Sequence, residues 1–256
     1  MKTFFRFWSA VWIICLFAPA LPAEPDSASM LERFYEANKA YRDGLYEQAV
    51  DGYRRLIDDG YTSGHIYYNL GNSHFRMGAL GHAILAYERA RQLIPRDDDL
   101  LFNLSYARSQ TIDALDEDGS STANGFLGIG SLNMREVFYI FSAVNMSFFC
   151  VLALRLFVKS EWSYYLTILL AILITIGAGA FLLKWYDWRT DDRAVVLADE
   201  VAVRAGPDPT DTVLFNIHEG TVVHYERSED DWVLLNLSKE QRGWAPAKVI
   251  EPIIPR

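Results

Sequence analysis

The sequence predicts a multidomain membrane protein: an all-α repeat solenoid, a transmembrane helical hairpin and a small all-β barrel. Three observations lead to this prediction. Residues 44–49 have a counterpart 34 residues further along the chain, two later spans are almost free of charge, and residues from 193 onward switch to short β-branched runs separated by turns.

The composition excludes several classes of function. Lys and Arg number 24 and Asp and Glu number 33, so the formal net charge is −9. This balance speaks against a nucleic-acid-binding protein, which needs a basic face to neutralise phosphates. Cys15 and Cys150 each lie in an apolar block, which makes a thiol-ligated metal site, a disulfide framework and a paired-thiol redox centre improbable. A soluble cytosolic enzyme is also improbable, because so much of the apolar content lies in long blocks.

Residues 1–23 have the three parts of a secretory signal peptide. Lys2 and Arg6 precede a short apolar core, and the segment ends in small residues. We expect cleavage after Ala23, with cleavage after Ala20 as the alternative, and an uncleaved membrane anchor as the other interpretation. All of these predict export of the chain from residue 24 onward.

Two apolar spans, residues 137–158 and 162–183, are predicted to form a transmembrane hairpin. The second span has no charged residue and the first has only Arg155, near its end. About twenty apolar residues in a helix cross the hydrocarbon layer. The connection at residues 159–161 is so short that the helices must be antiparallel neighbours. Arg155 and Lys159 favour a cytoplasmic connection by the positive-inside rule, so both soluble parts should face the opposite, extracytoplasmic side.

Residues 24–112 are predicted to form about two and a half helical repeats. Gly44-Leu45-Tyr46-Glu47-Gln48-Ala49 aligns with Gly78-Ala79-Leu80-Gly81-His82-Ala83 at an offset of 34 residues. This offset is the tetratricopeptide repeat (TPR) period, and the same offset relates Tyr53 to Tyr87. The third unit ends near Ile112 as a lone helix.

Helical repeats of this kind have a concave face that binds peptides or proteins. Arg42 and Arg76 hold equivalent positions there and suit a carboxylate-rich segment. In the alternative interpretation, Tyr41 and Phe75 belong to the core and the arginines are solvated. The predicted concave residues are Phe34, Asn38, Tyr41, Arg42, His65, Tyr68, Asn72, Phe75 and Arg76.

Residues 113–136, which precede the membrane hairpin, are acidic and poor in apolar residues and should be a flexible linker.

The C-terminal residues 193–254 are predicted to form a small closed β-barrel. From residue 193 the chain has short β-branched runs, and closing about five to seven such strands removes exposed strand edges. Gly220 and Gly243 are expected at positive φ in turns.

Several segments of this last part resemble the bacterial Src-homology-3-like (SH3b) domain. Trp232 and Trp244 are either core residues or a surface platform for a ligand, and both interpretations stay open at this point. The segments that carry the resemblance are Val203-Arg204-Ala205-Gly206-Pro207, His218-Glu219-Gly220-Thr221, Asp231-Trp232-Val233 and Gly243-Trp244-Ala245.

No cluster of residues predicts catalysis, a metal site or a cofactor. None of the five histidines has a neighbouring Cys or carboxylate at a recognised ligand spacing. No Ser or Cys lies in a strand–turn–helix elbow, and no glycine-rich loop carries a phosphate-binding Lys. We therefore expect a protein that is not an enzyme.

The order of signal sequence, TPR, membrane hairpin and SH3b barrel resembles the BatE proteins of bacterial aerotolerance (Bat) operons. Tyr68-Asn69-Leu70-Gly71-Asn72 and Val203-Arg204-Ala205-Gly206-Pro207 are the segments that fit. The resemblance implies a non-enzymatic component of the inner (cytoplasmic) membrane with periplasmic TPR and SH3-like modules. It also implies action beside von Willebrand factor A-type Bat proteins and a MoxR-type ATPase in envelope or oxidative-stress functions. We therefore expect a scaffold for partner proteins, with a peptidoglycan-binding sensor as the alternative.

Overall fold

The computed structural model describes residues 27–113, 129–158, 160–238 and 240–254. The predicted signal peptide, most of the predicted linker and Lys159 lie outside the described residues. The helices are α1 (Ser27–Arg42), α2 (Tyr46–Asp58), α3 (Gly64–Arg76), α4 (Leu80–Leu93), α5 (Asp98–Ser109), α6 (Met134–Arg155) and α7 (Glu161–Thr190). The strands are β1 (Arg193–Val196), β2 (Glu200–Arg204), β3 (Val213–His218), β4 (Val222–Glu229), β5 (Trp232–Asn236), β6 (Arg242–Pro246) and β7 (Ile250–Pro252).

Helices α1 to α4 form two helical hairpins that repeat at the 34-residue offset. Gly44 and Gly78 close the two hairpin turns with φ of 77° and 80°, a conformation that side chains with a Cβ rarely adopt. Ala49 and Ala83 are fully buried at equivalent positions, where a small residue lets the paired helices approach closely. The offset found in the sequence is therefore repeated in the backbone and in the packing.

Helix α5 follows the second hairpin and extends the stack. Its start is fixed by Asp97, whose side-chain oxygen accepts a hydrogen bond from the Leu100 amide at 2.9 Å. Asp98 and Asp99 occupy the first turn, where their negative charges interact favourably with the positive end of the helix dipole. Leu100, Leu104 and Ala107 are buried against the preceding hairpin, while the opposite side of α5 is exposed.

Helices α6 and α7, with 22 and 30 residues, are long and apolar enough to cross a membrane. At about 1.5 Å per residue, α7 is about 45 Å long, which exceeds the hydrocarbon thickness of about 30 Å. The predicted second span ends at Leu183, but α7 continues to Thr190 and only Asp191 and Asp192 separate it from β1.

The seven strands form one antiparallel sheet in the order β3-β2-β6-β5-β4-β1-β7. Every strand contributes inward side chains to one core, so the sheet curls around it. The predicted closed barrel needs a correction, because no backbone hydrogen bond joins the edge strands β3 and β7 in the described residues. The core side chains are Ala194, Val196, Val201, Val203, Ile217, Val223, Val233, Leu235, Ala245 and Ile250.

One of the two glycine predictions is correct and the other is wrong. Gly220 has a φ of 82°. Gly243 is not among the glycines at positive φ and lies in β6. Its role is close packing, because an added Cβ would lie 2.6 Å from Val203 Cγ1 and 2.7 Å from the Arg204 carbonyl oxygen.

The helical part and the sheet share a second core, which we call the helix–sheet interface. On β1, Ala194 and Val196 point into the sheet's own core, whereas Val195 points out and packs with α4 and α5. Val195 is 0% exposed and Ile253, just after β7, is 1% exposed. Strand β1 is thus buried on both faces.

A fully buried carboxylate lies at this interface. Glu88 of α4 is 0% exposed and accepts hydrogen bonds from Arg91 at 2.8 Å, from Arg193 of β1 at 3.3 Å and from Arg108 of α5. Three guanidinium groups compensate the cost of burying its charge. Because Arg193 belongs to the sheet, this cluster ties together α4, α5 and β1.

A second polar contact joins the end of the helical part to the sheet. The Asp113 carboxylate accepts hydrogen bonds from the His218 amide at 2.8 Å and from the Thr221 hydroxyl at 2.9 Å. Burial opposes ionisation of Asp113, but these hydrogen bonds outweigh it and lower the pKa of the carboxyl. Both soluble parts therefore lie at the same end of the α6–α7 pair and touch one another.

Candidate functional site

The inner face of the helical repeat is built on two equivalent hydrogen-bond networks. In the first, Asn38 Oδ1 accepts from the Tyr53 hydroxyl at 2.6 Å and from Asn69 Nδ2 at 2.9 Å. In the second, 34 residues further on, Asn72 Oδ1 accepts from the Tyr87 hydroxyl at 2.8 Å and from Asn103 Nδ2 at 3.0 Å. The repeat thus extends from the backbone to the polar side chains.

The tyrosines fix the orientation of the asparagine side chains. Tyr53 and Tyr87 are 0% and 1% exposed, and burial raises the pKa of both phenols. Each hydroxyl therefore keeps its proton and acts as a donor, which holds the oxygen of Asn38 or Asn72 inward. Within the described residues the Asn38 amide nitrogen has no hydrogen-bond partner, whereas the Asn72 side chain also hydrogen-bonds the Tyr68 hydroxyl. The half-buried NH₂ group of Asn38 is therefore held ready for a carbonyl or carboxylate of a bound chain.

Aromatic side chains line the same face at the repeat spacing. Phe34, Tyr68 and Phe102 follow one another at 34 residues on α1, α3 and α5. Tyr68 receives a hydrogen bond from Asn103 Nδ2 at 3.0 Å. Burial, reinforced by the charge of Asp99 on the next helix, raises the pKa of the Tyr68 phenol despite its hydrogen bond with Asn72. Phe102 is 71% exposed on α5, so the apolar surface continues to the last helix of the stack.

The predicted cationic positions are exposed and lie over aromatic rings. The Arg42 guanidinium carbon is 5.5 Å from the centre of the Tyr35 ring, and that of Arg76 is 5.1 Å from the centre of the Tyr46 ring. Such cation–π contacts leave the guanidinium free to donate hydrogen bonds at its edge. The two arginines are equivalent in sequence but not in their surroundings, because Arg42 lies over its own helix and Arg76 over α2.

The predicted concave residues fall into two groups in the structure. Asn38, Tyr68 and Asn72 belong to the hydrogen-bond networks, whereas His65 is exposed and makes no hydrogen bond in the described part of the chain. Tyr41 packs edge-on to Tyr46, and Phe75 packs against Tyr106 at 5.7 Å. Both are partly buried, between the two interpretations considered for them.

Four residues of this face are not among the predicted concave residues. Asn69 and Asn103 complete the two networks, and their 34-residue spacing was the available signal. Phe102 and Tyr106 of α5 stack on each other with ring centres 6.5 Å apart. The sequence predicts α5 only as a lone helix at the end of the repeat, which does not indicate that it extends the inner face.

The tryptophans of the sheet differ in exposure. Trp244 is 7% exposed and the Arg227 guanidinium lies 5.3 Å from its ring centre. This burial favours the core interpretation for Trp244 over a ligand platform. Trp232 is partly exposed at the start of β5, opposite Pro246, and retains ring surface that a ligand could contact.

Behind the inner face, the buried His74 predicts a stability that depends on pH. Burial lowers the pKa of His74 to about 4, with further contributions from His82 and Arg54. The imidazole takes up a proton below about pH 6.5 in the unfolded chain but only below about pH 4 in the folded chain. The free energy of unfolding should therefore fall as the pH drops from about 6.5 to about 4, by up to about 3 kcal/mol. Thermal unfolding of wild type and His74→Gln across this window tests the prediction.

The matched control for this test is His65→Gln, since the His65 side chain is exposed and makes no hydrogen bond in the described part of the chain. We expect its pH profile to follow the wild type, whereas the profile of His74→Gln should be flatter between pH 6.5 and 4. Identical slopes for all three proteins would contradict the assignment. Protonation of Asp113 does not contribute to this comparison, because its lowered pKa means that its carboxylate is protonated only at more acidic pH.

Comparison with known proteins identifies the C-terminal part. Residues 198–252 match the family model described as Bacterial SH3 domain. No curated protein and no solved structure matches the chain. The resemblance to the SH3b domain is therefore confirmed for the sheet. Strand β1, which is buried against the helices, precedes the matched range.

Proposed function

We propose that the protein is a non-enzymatic, membrane-anchored scaffold that binds segments of partner proteins along the inner face of its helical repeat. The observation that supports this most directly is the duplicated network of Asn38 and Asn72, which orients two amide side chains at the 34-residue spacing and holds the Asn38 NH₂ group ready for a bound chain. Exposed aromatic rings and Arg42 and Arg76 border them. A face of this composition suits an extended segment with acidic side chains.

The helical part is proposed to be a TPR module and the whole chain a BatE-type protein. The 34-residue hairpins, the apolar helix pair and the bacterial SH3 domain are consistent with that architecture. We place the protein in the bacterial inner membrane with both soluble parts in the periplasm, since both lie at one end of the hairpin and SH3 domains of this kind fit an extracytoplasmic place. The proposed partners are von Willebrand factor A-type Bat proteins and a MoxR-type ATPase system.

Charge reversal on the inner face tests the scaffold. The double variant Arg42→Glu/Arg76→Glu, purified in detergent with its bound proteins, should lose partner recovery about tenfold or more, because each change replaces a carboxylate-binding cation by a repelling anion. Arg55→Glu/Lys248→Glu carries the same charge change on exposed side chains outside the predicted inner face and should recover the partner normally. Equal recovery with both double variants would exclude the inner face as the binding site.

Binding of peptidoglycan is the second candidate function, favoured by the match of residues 198–252 to the bacterial SH3 domain. Sedimentation with purified sacculi separates the candidates. The full chain is the right sample, because β1 and Ile253 share a core with the helices. Cosedimentation that is abolished by Trp232→Ala would favour peptidoglycan binding. If the wild type does not cosediment, the scaffold function is favoured.

A further inference from the structure

A cavity of about 260 Å³ lies on the side of the helical repeat that faces the sheet. Helices α2, α3 and α4 form most of its wall, and Glu251 of β7 contributes from the SH3 domain. Its polar lining consists of Arg54 and Asp58 of α2, His74 of α3, His82 and Arg89 of α4, and Glu251. The remaining wall is mostly apolar. The volume is below that of pockets for drug-sized ligands, about 300–1,000 Å³, and suits a smaller molecule.

One residue that lines the cavity, His74, has a buried polar atom without a partner in the described residues. His74 is only 6% exposed, and its Nδ1 makes no hydrogen bond within the described residues. Buried polar groups are nearly always hydrogen-bonded, so an unpaired one indicates an unseen partner. The His82 ring lies beside it, with ring centres 5.0 Å apart. The pKa of both imidazoles is lowered, chiefly by burial and in part by Arg54. An anionic group placed here would relieve that positive potential.

Two opposite charges at the mouth are also unpaired. Arg54 and Asp58 stand one helical turn apart on α2, both exposed. Neither forms a hydrogen bond or an ion pair through its side chain with any described residue, including the other. Residues at this spacing are neighbours on a helix surface and could pair directly. Their side chains instead border the cavity as one cationic and one anionic contact point.

On the wall formed by α4 and β7, the charge of Arg89 is already neutralised by Glu251. Arg89 donates to Glu251 at 2.8 Å, to the Pro252 carbonyl at 3.0 Å and to the Ile253 carbonyl at 3.0 Å. These bonds use the guanidinium for the helix–sheet interface. A ligand would therefore find its charged partners at Arg54, Asp58 and the imidazoles, where one positive and one negative charge balance.

We propose that this cavity binds a small zwitterion of the amino acid or dipeptide class. Its carboxylate contacts the Arg54 guanidinium and the His74 imidazole, and its ammonium group contacts Asp58. The site lies apart from the inner face and is independent of the proposed function. Since β7 forms one wall, the occupant also contacts the SH3 domain.

The test uses thermal unfolding of the full chain in detergent, followed by tryptophan fluorescence. L-alanine at millimolar concentration should raise the midpoint by about 2 °C or more in a saturable way. Sodium acetate and methylammonium chloride each carry half of the charge pattern and should raise it less. Arg54→Gln and Asp58→Asn should each weaken alanine binding about tenfold, whereas Arg55→Gln, an exposed neighbour outside the cavity, should bind as the wild type does.

Three results would overturn the proposal. The first is the absence of a saturable shift with alanine. The second is an acetate shift equal to that of alanine, which would make the site a simple anion site. The third is unchanged alanine binding in Arg54→Gln and Asp58→Asn. Both substituted side chains are exposed, so these variants are expected to fold.

Discussion

Glu88→Gln should lower the free energy of unfolding of the helix–sheet unit by about 3 kcal/mol. The Glu88 carboxylate is 0% exposed and accepts from Arg91, Arg108 and Arg193. The glutamine amide has nearly the same shape as the Glu88 carboxylate, but it carries no negative charge and has only one acceptor oxygen instead of two. Three guanidinium groups, each only 21% to 25% exposed, would then face a neutral group. Removing one partner from a buried ionic cluster is costly for this reason.

The measurement is the unfolding of the full chain at constant detergent, followed by circular dichroism, because five of the seven tryptophans lie outside the sheet and would dominate a fluorescence signal. The matched control is Glu226→Gln, which removes the exposed pair of Glu226 and Arg242, with side chains 30% and 60% exposed. An exposed pair contributes about 0–1 kcal/mol. If both variants lost the same small amount, the buried cluster would not be a major source of stability.

Gly81→Ala should separate α4 from the sheet and cost about 2–3 kcal/mol. A Cβ at position 81 would lie 2.4 Å from the carbonyl oxygen of Val196 and 3.2 Å from the Leu197 Cα. These are backbone atoms that cannot rotate away. The movement would also break the hydrogen bond from the Gly81 amide to Glu219 Oε1, which measures 2.8 Å. The effect is expected although alanine has the higher intrinsic helix propensity by about 1 kcal/mol.

Hydrogen exchange locates this effect. Amides of β1 should exchange faster in Gly81→Ala, whereas those of the β4–β5 pair should remain protected. Gly179→Ala provides the control, because an added Cβ there meets nothing within 4 Å, and it should leave exchange unchanged. Unaltered protection of β1 in Gly81→Ala would show that the helices and the sheet are not closely packed at this point.

The features that the sequence predicts well are those encoded by local periodicity. The 34-residue offset predicts the paired hairpins and the equivalent tyrosines, and short β-branched runs with turns predict the SH3 domain. The helix–sheet interface was missed because its partners lie far apart in the chain, such as Glu88 and Arg193 or Asp113 and His218. One local signal was available: Ala194-Val195-Val196-Leu197 is apolar without alternation, a pattern typical of a strand buried on both faces.

The candidate site shows the same limit. The repeat register places Asn38 and Asn72 on the inner face, but it does not reveal which of their atoms a partner can reach. That depends on the hydroxyls of Tyr53 and Tyr87, which come from the neighbouring helix of each hairpin. The wrong expectation for Gly243 has a similar origin, since close packing and positive φ both select glycine, and only the position of Val203 distinguishes them.

The continuity of α7 with the sheet has a mechanical consequence. Arg193 is held to Asp191 by two side-chain hydrogen bonds of 2.8 and 2.9 Å, so the junction after Thr190 is braced and not hinged. If the α6–α7 pair spans a membrane as proposed, a change in its tilt would be transmitted through this junction to the SH3 domain and, through the packing of Val195, to the helical part.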